Sequence, residues 1–154
     1  MKIQWKQLVI AFEITLGFGI LAGLLSMDSV PTYDILIRPS FAPPPWVFMI
    51  VWPILYILLG ISLYLVRISE SEYKDTALKI FYVQLVLNFI WPLVFFNLHL
   101  IWAAFVIIML LWVSIILMIR WFFKVNPLAG KLQIPYLLWV TFAAVLNLSI
   151  AILN

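Results

Sequence analysis

Residues 80–119 contain no Asp, Glu, Lys or Arg, and no other feature constrains the fold of this chain as tightly. A single helix of that length would run about 60 Å, roughly twice the thickness of a bilayer's hydrocarbon core. The run must therefore fold back on itself, and Asn97-Leu98-His99 is the polar interruption near its middle. Spans follow at about 76–97 and 100–122. Residues 7–26, 45–66 and 133–153 are apolar over comparable lengths, and crossing takes about 20 helical residues. The chain is 67% hydrophobic and 10% charged, where a soluble domain carries about 25% charge. A soluble fold of 154 residues has too little interior to hide that surface, so lipid must be the solvent. The expected fold class is an all-α integral membrane bundle of five transmembrane helices, in one domain covering 1–154.

Charge orients the bundle. Lys2, Lys6, Arg67, Lys74, Lys79, Arg120, Lys124 and Lys131 fall on one side of the five spans, and Arg38 alone lies opposite. The positive-inside rule then places the N-terminus in the cytoplasm and the C-terminus outside. The net charge of +3 lies next to the membrane, where it suits anionic headgroups, and no basic stripe offers itself to nucleic acid. With no cysteine, disulfides and thiolate chemistry are excluded. The first apolar run is longer than a signal-peptide core and lacks a small-x-small cleavage pattern, so it is expected to stay as a helix. Gly19 and Gly23, with Gly17 beside them, let a neighbouring backbone come close, within the bundle or at a dimer seam. Glu13, two turns into this span, is expected to face the bundle or snorkel toward the cytoplasmic edge, in a structural role.

The segment 27–44 reads as a lid loop over the outer end, carrying Tyr33, Asp34 and Arg38. Pro43, Pro44 and Pro45 stiffen its end and start the second helix sharply, and Pro53 removes a donor inside that helix. Trp5, Trp46, Trp102 and Trp121 lie near helix ends, as interfacial tryptophans do. Trp52, Trp91, Trp112 and Trp139 lie deeper, where an indole N–H needs an acceptor. Gln84, Asn88 and Trp91 share one face of the third helix, Trp139, Ala143, Leu146 and Asn147 one face of the fifth, and Trp52, Tyr56 and Gly60 one face of the second. Such stripes are either glue between helices or the walls of an apolar pocket with a few convergent polar groups.

The runs Phe41–Tyr56, Gln84–Phe96 and Pro135–Asn147 resemble the translocator protein family. These are the tryptophan-rich sensory proteins (TspO/MBR), whose animal members were called peripheral benzodiazepine receptors. The resemblance covers nearly the whole chain and looks like the bacterial type. It implies a five-helix receptor for protoporphyrin-type tetrapyrroles and for synthetic isoquinoline-carboxamide or benzodiazepine-type ligands. The implied pocket contains Tyr33, Trp52, Tyr56, Asn88, Trp91, Trp102, Trp139, Ala143 and Leu146, with Asn147 on the same stripe. It also implies a bacterial cell membrane and, as one assembly, a homodimer. No cofactor is expected, porphyrin being ligand or substrate. The animal proteins end their last helix with a cholesterol-recognition pattern; here the tail after Asn147 has neither Tyr nor a basic residue, although Leu59, Tyr64 and Arg67 fit the loose spacing.

Hydrolytic and metal chemistry lack their parts, since His99 is the single histidine and has no partner in the sequence around it. The resemblance offers instead a light- and oxygen-dependent breakdown of bound porphyrin, with Trp52 and Trp139 as the reacting tryptophans. A tetrapyrrole transporter is a third reading, weakened by the absence of internal repeats and buried charges.

Overall fold

Prolines and short polar turns decide where the helices begin and end. The computed structural model describes residues 2–154, with backbone alone at residues 29 and 30. Five helices are long and apolar enough to cross a membrane: Trp5–Ser26, Pro45–Ile68, Lys74–Asn97, Ile101–Val125 and Pro127–Leu153. The first is α1. The lid segment 27–44 is not simply a loop. A 3-10 turn at Met27–Ser29 leads into a short helix α2, Val30–Ile35, and only the proline stretch beyond is extended. Pro44 holds φ −65° and ψ 153°, and Pro45 opens α3, Pro45–Ile68, at the position where a missing N–H costs nothing.

The third span is α4, Lys74–Pro92, whose end widens into a π-helix at Leu93–Asn97. Leu98 N–H donates back five residues to the Leu93 carbonyl at 3.0 Å. His99 then takes a left-handed φ of 55° and turns the chain into α5, Ile101–Val125. Asn126 caps the short helix α6, Pro127–Lys131, its side-chain oxygen accepting from the N–H groups of Leu128 (3.0 Å) and Ala129 (3.3 Å). The last helix, α7, covers Ile134–Leu153, matching the expected fifth span at 133–153, with α6 as a separate turn before it.

Around the bundle, α3 packs on α1, α1 reaches α4, α4 packs on α5, and α5 on α7. The backbones of α3 and α7 stay further apart than those of these four pairs. They are bridged near the basic end by Gln133, whose side-chain amide donates to the Leu58 carbonyl (3.1 Å) and to Ser62 Oγ (2.6 Å). Ser62 in turn donates to the Ala129 carbonyl at 3.0 Å. Glycine sets the α1–α3 contact. A Cβ on Gly60 would lie 2.6 Å from the Phe12 ring, and one on Gly19 would lie 2.6 Å from the Tyr56 ring. Gly17 and Gly23 meet nothing within 4 Å, so the expected Gly19/Gly23 pair divides and only Gly19 packs inside the bundle.

Two further features of the sequence find their place on the α1 side. Glu13 lies on the exposed face of α1, so of its two expected positions the bundle-facing one falls. Tyr64 and Arg67 of the loose cholesterol pattern are engaged by α1: the Gln4 N–H donates to the Tyr64 hydroxyl (3.1 Å), and Arg67 Nε donates to Gln7 Oε1 (2.9 Å), while Leu59 is fully buried. Those side chains are spent on helix packing.

Candidate ligand site beneath the lid

Three polar contacts in the middle of the bundle form one network. Asn88 on α4 accepts from the Tyr56 hydroxyl on α3 at 2.5 Å and donates to the Tyr136 hydroxyl on α7 at 2.6 Å. Tyr136 donates onward to Gln84 Oε1, 2.8 Å away. All four side chains are buried, and together they join three helices in a medium that offers no water. One turn nearer the lid, the Trp91 indole donates to Asn147 Oδ1 (3.0 Å), and the Asn147 amide donates to the Ile101 carbonyl (3.0 Å). Of the two readings of the amide stripes, glue between helices therefore describes Asn88 and Asn147. Both ends of each amide are occupied by protein partners.

Beyond this polar floor the bundle is lined by rings. A small hollow lies among Tyr33, Phe48, Trp91, Phe95, Phe96, Ala143, Leu146, Asn147 and Ile150. Its volume is about 10 Å³, room for at most a single water, so the walls touch one another and no ligand-sized void stands open. Tyr33 roofs it with its ring edge-on to Phe48 (5.8 Å) and Phe96 (6.4 Å), while its hydroxyl donates to the Pro43 carbonyl at 3.2 Å. Burial raises the pKa of this hydroxyl and the nearby Arg38 charge lowers it, with burial the larger effect. Trp139 packs on Phe48 (5.7 Å) and Phe142 (5.4 Å). Trp52 lies against Tyr56 (6.0 Å) and Trp91 (6.4 Å).

The sequence-derived residues thus divide into groups. Tyr33, Trp91, Ala143, Leu146 and Asn147 line the hollow; Trp52, Tyr56 and Trp139 pack beside that wall, and Asn88 belongs to the floor. Trp102 stands apart, 58% exposed on the outer face of α5, with Phe105 as its one aromatic neighbour among the described residues. Sequence reasoning missed Phe48, Phe95, Phe96, Ile150 and Tyr136. Phe48 lies one turn before Trp52 and Phe95 one turn after Trp91, so continuing the stripes would have found both. Tyr136 precedes Ala143 by two turns on the stripe of Asn147. Phe96 is different: the π-helix lets two consecutive rings reach Trp91, at 5.6 Å for Phe95 and 6.2 Å for Phe96. No helical periodicity anticipates that.

The indoles fare unequally. Trp91 has its acceptor, and Trp112 donates to Thr141 Oγ1 of α7 at 2.8 Å on the exposed side. Trp139 Nε1 is buried without any acceptor among the described residues. Three tethers hold the lid over this region. The Asn154 side chain pairs with both backbone groups of Ile37, accepting from its N–H (3.0 Å) and donating to its carbonyl (2.9 Å). His99 Nε2 lies 3.1 Å from Thr32 Oγ1, and Phe41 packs edge-on to Phe142 at 6.3 Å.

The chain as a whole has known relatives. A sequence profile of the TspO/MBR family matches residues 10–153. Protein CrtK of Rhodobacter capsulatus is 38% identical over 126 residues, covering 79% of this chain and 78% of its own. The tryptophan-rich sensory protein of Cereibacter sphaeroides is 34% identical over 155 residues, covering 100% of this chain and 95% of its own. The human translocator protein is 34% identical across 71% of this chain and 67% of its own. With five membrane-length helices and a match from the first helix to the last, the chain is an integral membrane protein and belongs to the TspO/MBR family.

Proposed function

We propose that this protein is a membrane receptor that binds protoporphyrin-type tetrapyrroles, and synthetic isoquinoline-carboxamide or benzodiazepine-type molecules, in the ring-lined hollow beneath its lid. The observation that carries this reading is the buried, unpaired indole N–H of Trp139 beside Phe48. A donor left without an acceptor in a dry interior costs about 1–3 kcal/mol, and a ligand acceptor would recover it. The flat rings around it suit a flat aromatic guest, whose binding would be driven by apolar burial. Because the resting hollow holds about 10 Å³ and drug-sized sites measure about 300–1,000 Å³, binding selects an opened state. The opening would part the lid and the rings between α3 and α7. With the basic end in the cytoplasm of a bacterial cell, the lid would face outward.

The test is quenching of tryptophan fluorescence by protoporphyrin IX in the purified, detergent-solubilised protein. Trp139→Ala should weaken the apparent affinity by about tenfold or more, from one lost hydrogen bond and one lost ring. Equal affinity in both proteins would remove the pocket from this location.

A second reading has an observation of its own. Trp52, Tyr56 and Trp91 are oxidisable rings in series, and such rings beside a light-excited macrocycle would suit oxygen-dependent breakdown of the porphyrin. The double variant Trp52→Phe/Trp139→Phe should then still bind, more weakly for want of the Trp139 N–H but with both rings kept, and lose photoproduct at saturating porphyrin. Undiminished product on illumination would leave binding as the sole activity.

A further inference from the structure

A second cleft lies apart from the hollow. It lies above it, an open depression of about 560 Å³ bounded by Asp34, Arg38, Pro39, Ala42 and the three prolines 43–45. Its walls are the extended half of the lid, which the prolines hold rigid, so the cleft is a fixed shape rather than a slack loop. The two share no lining residue, and they adjoin where Arg38 of the cleft lies against Tyr33 of the hollow. The Tyr33 ring lines the hollow, and the Arg38 guanidinium sits over that same ring at 4.6 Å from its centroid.

Arg38 is the one lysine or arginine at this end of the bundle. Its pairing is loose: a single nitrogen lies 3.4 Å from Asp34 Oδ1, and Asp34 is mostly exposed. A guanidinium presents five N–H donors in a planar fork that matches a carboxylate two at a time, so most of this fork is uncommitted. An exposed pair of this kind contributes little to stability, which leaves the arginine free to change partner.

We infer that Arg38 is an anion anchor at the mouth of the ligand site, gripping a carboxylate on the edge of a flat apolar guest whose ring system passes behind Tyr33 into the hollow. The inference rests on the receptor reading above and adds the residues that read the guest's charge, Arg38 for the carboxylate and Asp34 against it. Asp34 is part of the device. Its charge opposes the incoming carboxylate and releases the arginine only to a partner that binds it better, so the two residues bear on affinity with opposite sign. A purely structural role for the pair would move both variants in the same direction.

The experiment compares protoporphyrin IX with its uncharged dimethyl ester, by fluorescence quenching of the full-length protein in neutral detergent at low salt. Wild type should bind the diacid about tenfold tighter than the diester, the worth of one charge-assisted hydrogen-bonded pair. Arg38→Gln should erase that preference by weakening the diacid alone, and Asp34→Asn should strengthen the diacid several-fold while the diester stays unchanged. Diester binding doubles as the check that each variant is folded. A preference that survives Arg38→Gln, or an equal affinity of wild type for both compounds, overturns the anchor while leaving the receptor intact. Failure of wild type to bind either porphyrin would overturn the receptor reading itself, and the anchor with it.

Discussion

Replacing Asn88 by leucine tests whether the amide in the middle of the bundle is glue or a ligand contact. Leucine has the branching of asparagine and is bulkier, so the substitution removes hydrogen bonds without opening a cavity. Two are lost: the 2.5 Å bond accepted from Tyr56 and the 2.6 Å bond donated to Tyr136. Interhelical hydrogen bonds in lipid average about 0.6 kcal/mol and reach about 1.7, so the pair sums to about 1–3 kcal/mol. The upper part of that range is expected here, because the Tyr56 hydroxyl is left buried without an acceptor while Tyr136 keeps Gln84. The assay is reversible unfolding by SDS in mixed micelles, followed by circular dichroism, for Asn88→Leu, Tyr136→Phe and the double variant. The double variant should be less damaged than the sum of the singles by about 0.5 kcal/mol or more, since both substitutions break the same bond. Wild-type stability in Asn88→Leu together with a large loss of porphyrin affinity would refute the reasoning, because it would mean that the amide serves a guest and holds no helices.

Gly19→Ala should destabilise by about 1–3 kcal/mol, because its Cβ would come within 2.6 Å of the Tyr56 ring, whose hydroxyl is held by Asn88. Gly17→Ala, which meets nothing within 4 Å, is the control, and equal behaviour of the two in the same SDS titration would contradict the packing described. Asn154→Ala should leave global unfolding unchanged but speed hydrogen exchange of the Ile37 amide about tenfold, as befits a lid tether worth about one hydrogen bond. An unchanged exchange rate would mean that the lid is held elsewhere. Trp102→Ala should keep wild-type porphyrin affinity, since that side chain stands outside the ring cluster; a marked loss in the quenching titration would return it to the site.

How far these features were legible in the sequence follows from the physics each obeys. The five spans were readable because lipid enforces length: an uncharged run at 80–119 can only be two helices, and the break at Asn97–His99 falls where the chain turns. The stripes on α3, α4 and α7 were readable because helical periodicity survives burial. What the polar members of those stripes bind was not readable. Asn88 and Asn147 have the composition of ligand contacts, and only the positions of Tyr136 and Ile101 on other helices reveal them as glue. The helix inside the lid escaped because Val30–Ile35 is short, contains Pro31, and carries no periodicity long enough to detect. The π-helix at Leu93–Asn97 escaped because its extra residue leaves no compositional mark. Trp102 was carried in by resemblance, and its exposure reflects a helix face that resemblance does not specify.

The wide spacing of α3 and α7 has a mechanical consequence. Between Phe48 and Trp139 the two backbones are joined by stacked side chains alone, whereas the Tyr56–Asn88–Tyr136 bonds tie α4 to both of them deeper down and the Trp91–Asn147 bond ties α4 to α7 nearer the lid. Prising the helices apart along that line disturbs dispersion contacts and leaves the deeper polar bonds whole. A guest dissolved in the surrounding bilayer would therefore slip in sideways, through a zipper of rings. A route straight down the axis would have to sever the hydrogen bonds that seal the base.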